Sequence, residues 1–337
     1  LIDGEIAGVE KTMSLQDRLK MFKDDEFPGE APRGFSYSKL GLAIAKYFDV
    51  SLYYSRKYYK DSYWRQFRML DFNANFVPLK KQVDGDLSFK HSGNAGDIIY
   101  SLPTIKALVG DRFGKLSLQL DVPISSRYIR EIHPLGGCML NRDMYNMLIP
   151  LLEYQSYIDS VDVFTGDPVE YDLDQVRSFP IPKDRIGISR WYFHLFGVAP
   201  DLSESWLDAP KEAGVSDVLL ISRSRRYQNL CIDYAFLSQY DNLAFCGVEE
   251  EYVLMRKVIP RIEWIPVDDF LHLATLIHSS KLFIGNQSFP FSIAEGLKSP
   301  RILEVYPLAP DVVPTGGRCC DVLFQKQFEQ MVDEMMN

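Results

Sequence analysis

Gly93, Asn94, Gly96 and Asp97 bring two glycines, an amide and a carboxylate into one short turn. Apolar residues recur at helical spacing from Ile98 onward, so Asp97 stands where a helix begins. A carboxylate there either caps the helix or acts in catalysis, and the residues alone leave both open. Ser222 is followed by Arg223, Ser224, Arg225 and Arg226. That run suits a diphosphate, which needs positive charge and hydrogen-bond donors together, although solvated arginines are the plainer alternative. Glu249 and Glu250 follow a glycine turn at Gly247, where a carboxylate can accept from a ribose diol or simply favour a first helical turn. Asn286, Gln287 and Ser288 follow Gly285 and present amides and a hydroxyl where the N–H groups of a new helix also point.

Each of these clusters needs a strand to end before it and a helix to start after it. Leu87–Lys90 is extended and leads into the Gly93 turn, with Ile98, Ile99, Leu102, Ile105, Leu108 and Val109 on the following helix. Further strands are expected over 115–121, 161–164, 217–222, 243–246, 262–265, 281–284 and 301–306, with a short element at 171–174. Helical spacing falls at 124–132, 144–158, 186–198, 234–237, 268–279 and 320–335. Strands alternating with helices imply a largely parallel sheet covered on both faces, an α/β class. The stretch 200–213, with Pro200 and Pro210, is the best boundary. With the domain entry at Pro78, Lys80, Lys81 and the VDGD stretch at 83–86, it divides the chain into an N-terminal extension (1–83), a first Rossmann-like domain (84–212) and a second (213–337).

The extension differs in character. A short helix is expected at Ser14–Phe22, Pro28 to Gly34 interrupt regular structure, and within Phe35–Val50 the residues Leu40, Ala43, Ile44, Tyr47 and Phe48 can share a helix face. Residues 51–68 interleave Tyr and Trp with Lys and Arg, a composition fit for sugars, bases or an anionic membrane surface, or for a helix packed with its basic side in water.

Composition narrows the classes. The chain has 337 residues, 46% apolar and 25% charged, which is globular. A net charge of −9 argues against general nucleic-acid binding. Five cysteines without a CxxC pair give no zinc pattern and read as reduced and intracellular. No signal peptide opens the sequence as given and no run approaches 18 apolar residues, so the expectation is a cytoplasmic protein that at most touches a membrane surface through residues 35–68.

Four stretches together resemble the ADP-heptose:lipopolysaccharide heptosyltransferases and their relatives in glycosyltransferase family 9. They are GNAGDIIYSLPTIKAL (93–108), MLIPLLEYQSYIDSVDVF (147–164), FCGVEEE (245–251) and DDFLHLATLIHSSKLFIGNQSFPFSIAEGLKSP (268–300). The resemblance spans residues 87 to 306. It implies the GT-B fold, with two Rossmann-like domains facing across a crevice. It also implies transfer of a hexose or heptose from a nucleotide diphosphosugar to a glycan, glycolipid or other hydroxyl acceptor, inverting and without an obligate metal. Carried over by position, Asp97 matches the catalytic base, Ser222–Arg226 the donor-phosphate region, Glu250 (with Glu249 beside it) the ribose acid, and Gln287 and Ser288 the pair at the diphosphate. The sequence departs from the family where Gln287 replaces an Asp and where Phe289 and Phe291 stand for Gly and His. Those departures leave two rivals: a non-catalytic carbohydrate- or nucleotide-binding protein, and a pyruvyltransferase- or epimerase-like enzyme on the same architecture.

Overall fold

The computed structural model describes residues 34–124, 135–181 and 186–337. Contacts divide the chain into two compact units, one running to Val77 with a short return at 179–182, the other Pro78–Ser178 with Lys183–Asn337.

The first unit is helical. A 3-10 turn at Phe35–Tyr37 precedes α1 (Lys39–Phe48) and α2 (Val50–Asn75). Ser38 stops the expected 35–50 helix from beginning earlier, because its hydroxyl oxygen accepts from the Gly41 amide at 3.0 Å as an N-cap. Asp49 caps α2 in the same way, accepting from the Leu52 amide at 2.9 Å. A Cβ on Gly41 would strike the Phe35 carbonyl, so only glycine lets the turn lie against α1. Lys60 Nζ donates to Tyr37 O at 2.9 Å and ties α2 back to that turn. The helix expected at 14–22 lies outside the described residues.

The second unit holds two parallel sheets. β1 (Leu87–His91), β2 (Gly114–Leu118), β3 (Ile158–Val163) and β4 (Tyr171–Asp172) stand in the order β3-β2-β1-β4. β5 (Leu219–Ser222), β6 (Leu243–Phe245), β7 (Glu263–Trp264), β8 (Leu282–Asn286), β9 (Arg301–Glu304) and β10 (Cys319–Val322) stand in the order β10-β9-β8-β5-β6-β7. Both orders run outward from a first strand and then restart on its other side, which is the doubly wound Rossmann arrangement. The helices between strands are α3 (Ala95–Val109), α4 (Arg142–Glu153), α5 (Ile188–Phe196), α6 (Glu249–Val258), α7 (Phe270–Ser279), α8 (Phe289–Leu297) and α9 (Gln325–Met336). Of the helix expected at 124–132, all but the first residue falls outside the described residues.

The core follows from the strand composition. β5 and β8 are buried at every position, as central parallel strands must be. Ile221, Phe245, Ile284, Ile302 and Val322 form one layer against Phe328 and Val332 of α9. The start of that last helix corrects the sequence expectation of 320–335. Cys319–Val322 instead pairs in parallel with Arg301–Glu304, and the helix begins only at Gln325. A run as short as Cys-Cys-Asp-Val fits either period, and here an open sheet edge takes it.

Residues Pro78–Asp86 belong with the sheets. Leu79 N donates to Leu195 O at 2.8 Å, and the Tyr171 hydroxyl bonds the backbone N and O of Lys81 at 3.0 and 3.1 Å.

Candidate functional site

In a doubly wound sheet, the loops leaving the two strands at the switch of order splay apart and leave a crevice. The switch strands here are β1 and β4 in one sheet, β5 and β8 in the other. Asp97 follows β1, Arg177 follows β4, Arg226 follows β5 and Ser288 follows β8. Asp97, Arg226 and Ser288 line a single open cleft. The two sheets meet there through their helices: a Cβ on Gly96 would lie 4.0 Å from Phe289 Cα and from Ser292 Oγ. The starts of α3 and α8 are therefore side by side, and both present their positive dipole ends.

The known contacts of Asp97 gather on one oxygen. The Asn94 amide donates to Oδ2 at 3.2 Å and holds the start of α3, while Asn94 Nδ2 reaches the same oxygen at 3.5 Å. Arg177 Nη2 also approaches Oδ2, at 3.8 Å. Among the described residues no hydrogen bond or ion pair reaches Oδ1. Burial pushes this carboxyl above the usual aspartate range, and Arg177 and the Asn94 bonds pull part of the way back.

Behind it lies a packed support. Arg177 is fixed by Asp174 Oδ1 at 2.9 Å and Ser92 Oγ at 3.0 Å. His91 is fully buried, accepts at Nδ1 from the Gly93 amide at 2.8 Å, and lies 2.9 Å from the Tyr192 hydroxyl at Nε2. An accepting Nδ1 puts the ring proton on Nε2, so the imidazole is neutral and donates to Tyr192. Burial first, and then Arg177, lower its pKa to about 3. A Cβ on Gly93 would collide with Arg177, which makes the glycine necessary to this arrangement.

The opposite wall is held by two amides at the end of β8. Asn286 Oδ1 accepts from Ser224 N at 3.0 Å, and its Nδ2 donates to Ser224 O at 3.0 Å and Arg226 O at 2.6 Å. Gln287 faces the other way. Its Oε1 accepts from Tyr306 N at 2.6 Å, and its Nε2 donates to Ala309 O at 2.6 Å and Asp311 Oδ1 at 2.8 Å. Ser288 stands at the N-cap position of α8, its hydroxyl donating back to Asn286 O at 3.3 Å, with Pro290 in the first turn, where a missing N–H costs nothing.

The residues singled out in the sequence thus separate. Asn94, Gly96, Asp97, Arg226, Gln287 and Ser288 line one cleft, with Gly93 beside Asp97. Ser222 is buried at the strand end, and Ser224 and Asn286 are spent on each other. Arg223 does not join the anion-facing group: its Nε and Nη2 bond Glu304 Oε2 and Oε1, each at 2.7 Å, beneath the sheet end. Arg225 is exposed. Glu249 and Glu250 are exposed on the first turn of α6, whereas Glu251 turns back to accept from the Arg225 amide at 3.1 Å. Burial raises the Glu251 pKa, with the Arg225 amide bond the chief opposing influence. Arg177, Tyr227 and Asp311 escaped sequence reading. Only Tyr227 carried a local sign, as an aromatic directly after the arginine run. Among the described residues no group of three or more His, Cys, Asp or Glu is placed to hold a metal ion.

Two Rossmann-like domains, each with its switch point at one shared cleft, and a helical N-terminal segment define a GT-B fold. No protein-family model matches the chain, and no curated protein matches it. Among solved structures it resembles E. coli heptosyltransferase WaaC with ADP, at a TM-score of 0.51 and 10% identity, over 74% of this chain and 99% of that one. The same enzyme with ADP-2-deoxy-2-fluoro heptose aligns at 0.49, with the same identity and coverage. A glycosyl transferase family 9 structure from Veillonella parvula aligns at 0.48 and 13% identity, over 76% and 92%. The likeness is one of fold, at low sequence identity.

Proposed function

We propose that the protein is a glycosyltransferase that moves a sugar from a nucleotide diphosphosugar to an acceptor hydroxyl. The observation that carries this reading is the pairing, in one cleft, of Asp97 with Arg226 and the start of α8. The acceptor hydroxyl binds at Asp97 Oδ1 and gives up its proton there as its oxygen attacks the anomeric carbon. The bond from that carbon to the diphosphate oxygen breaks, and the leaving group takes the electron pair. Its new charge is met by the Arg226 guanidinium and the amides that open α8. Attack from the side opposite the leaving group inverts the anomeric centre. The likeness in fold to a heptosyltransferase solved with ADP makes an adenine diphosphosugar the first donor to try.

A ligand-observed NMR screen of ADP-, GDP-, UDP- and CMP-linked sugars tests it, with Asp97→Asn and Arg226→Met proteins alongside. Selective binding that survives Asp97→Asn and weakens in Arg226→Met is expected. The absence of binding to all four donor classes would overturn the reading.

A second reading rests on Gln287. Its carbonyl and amide are engaged by Tyr306, Ala309 and Asp311, so the residue at the family's Asp position lines the cleft with its polar atoms already committed to a loop. A protein that binds a nucleotide sugar without turning it over would have the same cleft. Binding without release of nucleotide, across a panel of glycan and glycolipid acceptors, would favour it.

A further inference from the structure

The first unit exposes apolar side chains that an amphipathic helix ordinarily buries. At about 100° per residue, Leu40, Ile44, Tyr47 and Phe48 fall on one side of α1. That side faces water, with exposures running from 42% at Ile44 to 84% at Tyr47. The adjoining side of α1, at Gly41 and Ala45, is the buried one. On α2 the exposed Val50, Tyr54, Tyr58 and Trp64 share one face with Lys57, Arg68 and a single acid, Asp61. The two stripes meet at the corner Phe48–Asp49–Val50, where Phe48 and Val50 are both exposed.

Charge decides what covers this surface. Residues 35–75 hold seven Lys or Arg against three Asp, a surplus of four positive charges in a chain of net −9. The remaining residues therefore carry −13 between them. Cationic side chains flanking Tyr, Trp and Leu match a boundary with negative headgroups outside and hydrocarbon beneath. Among the described residues no helix is long and apolar enough to cross a membrane, so the geometry is that of helices lying on a surface.

We propose that α1 and α2 dock the protein on an anionic lipid surface, with Leu40, Ile44, Tyr47 and Phe48 entering the headgroup boundary and Lys57 and Arg68 pairing with lipid phosphates. The inference is independent of the glycosyltransferase reading, since it concerns a different unit and needs no donor.

Sedimentation of the full chain with vesicles tests it. Vesicles of phosphatidylcholine with one third phosphatidylglycerol should bring the protein down, pure phosphatidylcholine should not, and salt should weaken the binding. Tyr47→Ser with Phe48→Ser, and separately Lys57→Glu with Arg68→Glu, should each lower partitioning at least about tenfold with the helical circular dichroism unchanged. These side chains are exposed, so the fold does not depend on them. Binding that both double variants retain, or no binding to anionic vesicles, would overturn the proposal. So would a dimer in light scattering that the Tyr47/Phe48 variant converts to monomer, since a second copy would then be what covers the face.

Discussion

Arg177 Nη2 lies 3.8 Å from Asp97 Oδ2, the same oxygen that accepts the Asn94 amide. The bonds that hold Asp97 in place fall on one carboxylate oxygen of a residue that lines the cleft. Capping and proton abstraction are therefore compatible in a single side chain. Asp97→Asn keeps an oxygen for the cap and loses the base. Turnover should fall by about a hundred- to ten-thousand-fold, with donor affinity within a few-fold of the parent. Single-turnover assays beside NMR titration measure both, and an active Asp97→Asn protein would remove Asp97 from the chemistry.

The pH dependence follows from the same pair. Burial raises the Asp97 pKa and Arg177 opposes the rise. Activity needs the carboxylate, so it should fall as pH drops through a value above that of an ordinary aspartate. Removing the guanidinium in Arg177→Met takes away a lowering influence, so the acid limb of the pH–rate profile should move to higher pH. A limb that stays in place would show that Arg177 does not act on Asp97.

Arg223 and Arg226 sit three residues apart and should behave oppositely. Arg223→Ala leaves Glu304 buried without its cation, at a cost of about 3–5 kcal/mol of stability. Arg226 has no such partner among the described residues, and Arg226→Met should lower donor affinity by about tenfold or more while the melting temperature barely moves. Thermal denaturation and donor titration of the two variants separate the roles.

His91 predicts a stability effect. Its folded pKa is lowered to about 3 from 6.5. The unfolded chain takes up a proton below about pH 6.5 that the folded one refuses. The stability gained by keeping the ring neutral is present above that pH and is lost as pH falls towards 3, by up to about 1.4 kcal/mol per pH unit. His91→Gln should flatten that part of the urea-denaturation profile by roughly one proton. An unchanged slope would mean that the ring is protonated in the folded state.

Much of this site could be read from local sequence, because a glycine turn between strand and helix is a local event. Gly93 to Asp97 needed only their own neighbours to be placed. Arg177 did not yield to the same reading, since it meets Asp97 only when β4 pairs beside β1. The run Arg223 to Arg226 showed its charge but not its directions: which arginine turns inward depends on Glu304, eighty-one residues later. Cys320–Val322 fitted a helix pattern, but an unfilled edge beside β9 takes the stretch as a strand.

Asn286 and Gln287 are successive residues whose side chains leave opposite faces of the chain, one gripping 224–226 and the other 306–311. Two stretches far apart in sequence are thus pinned by a single peptide unit. A one-residue insertion or deletion in β8 would release both stretches at once, although neither had been altered. The span from Leu282 to Ser288 should therefore tolerate changes of length far less readily than the exposed first turn of α6.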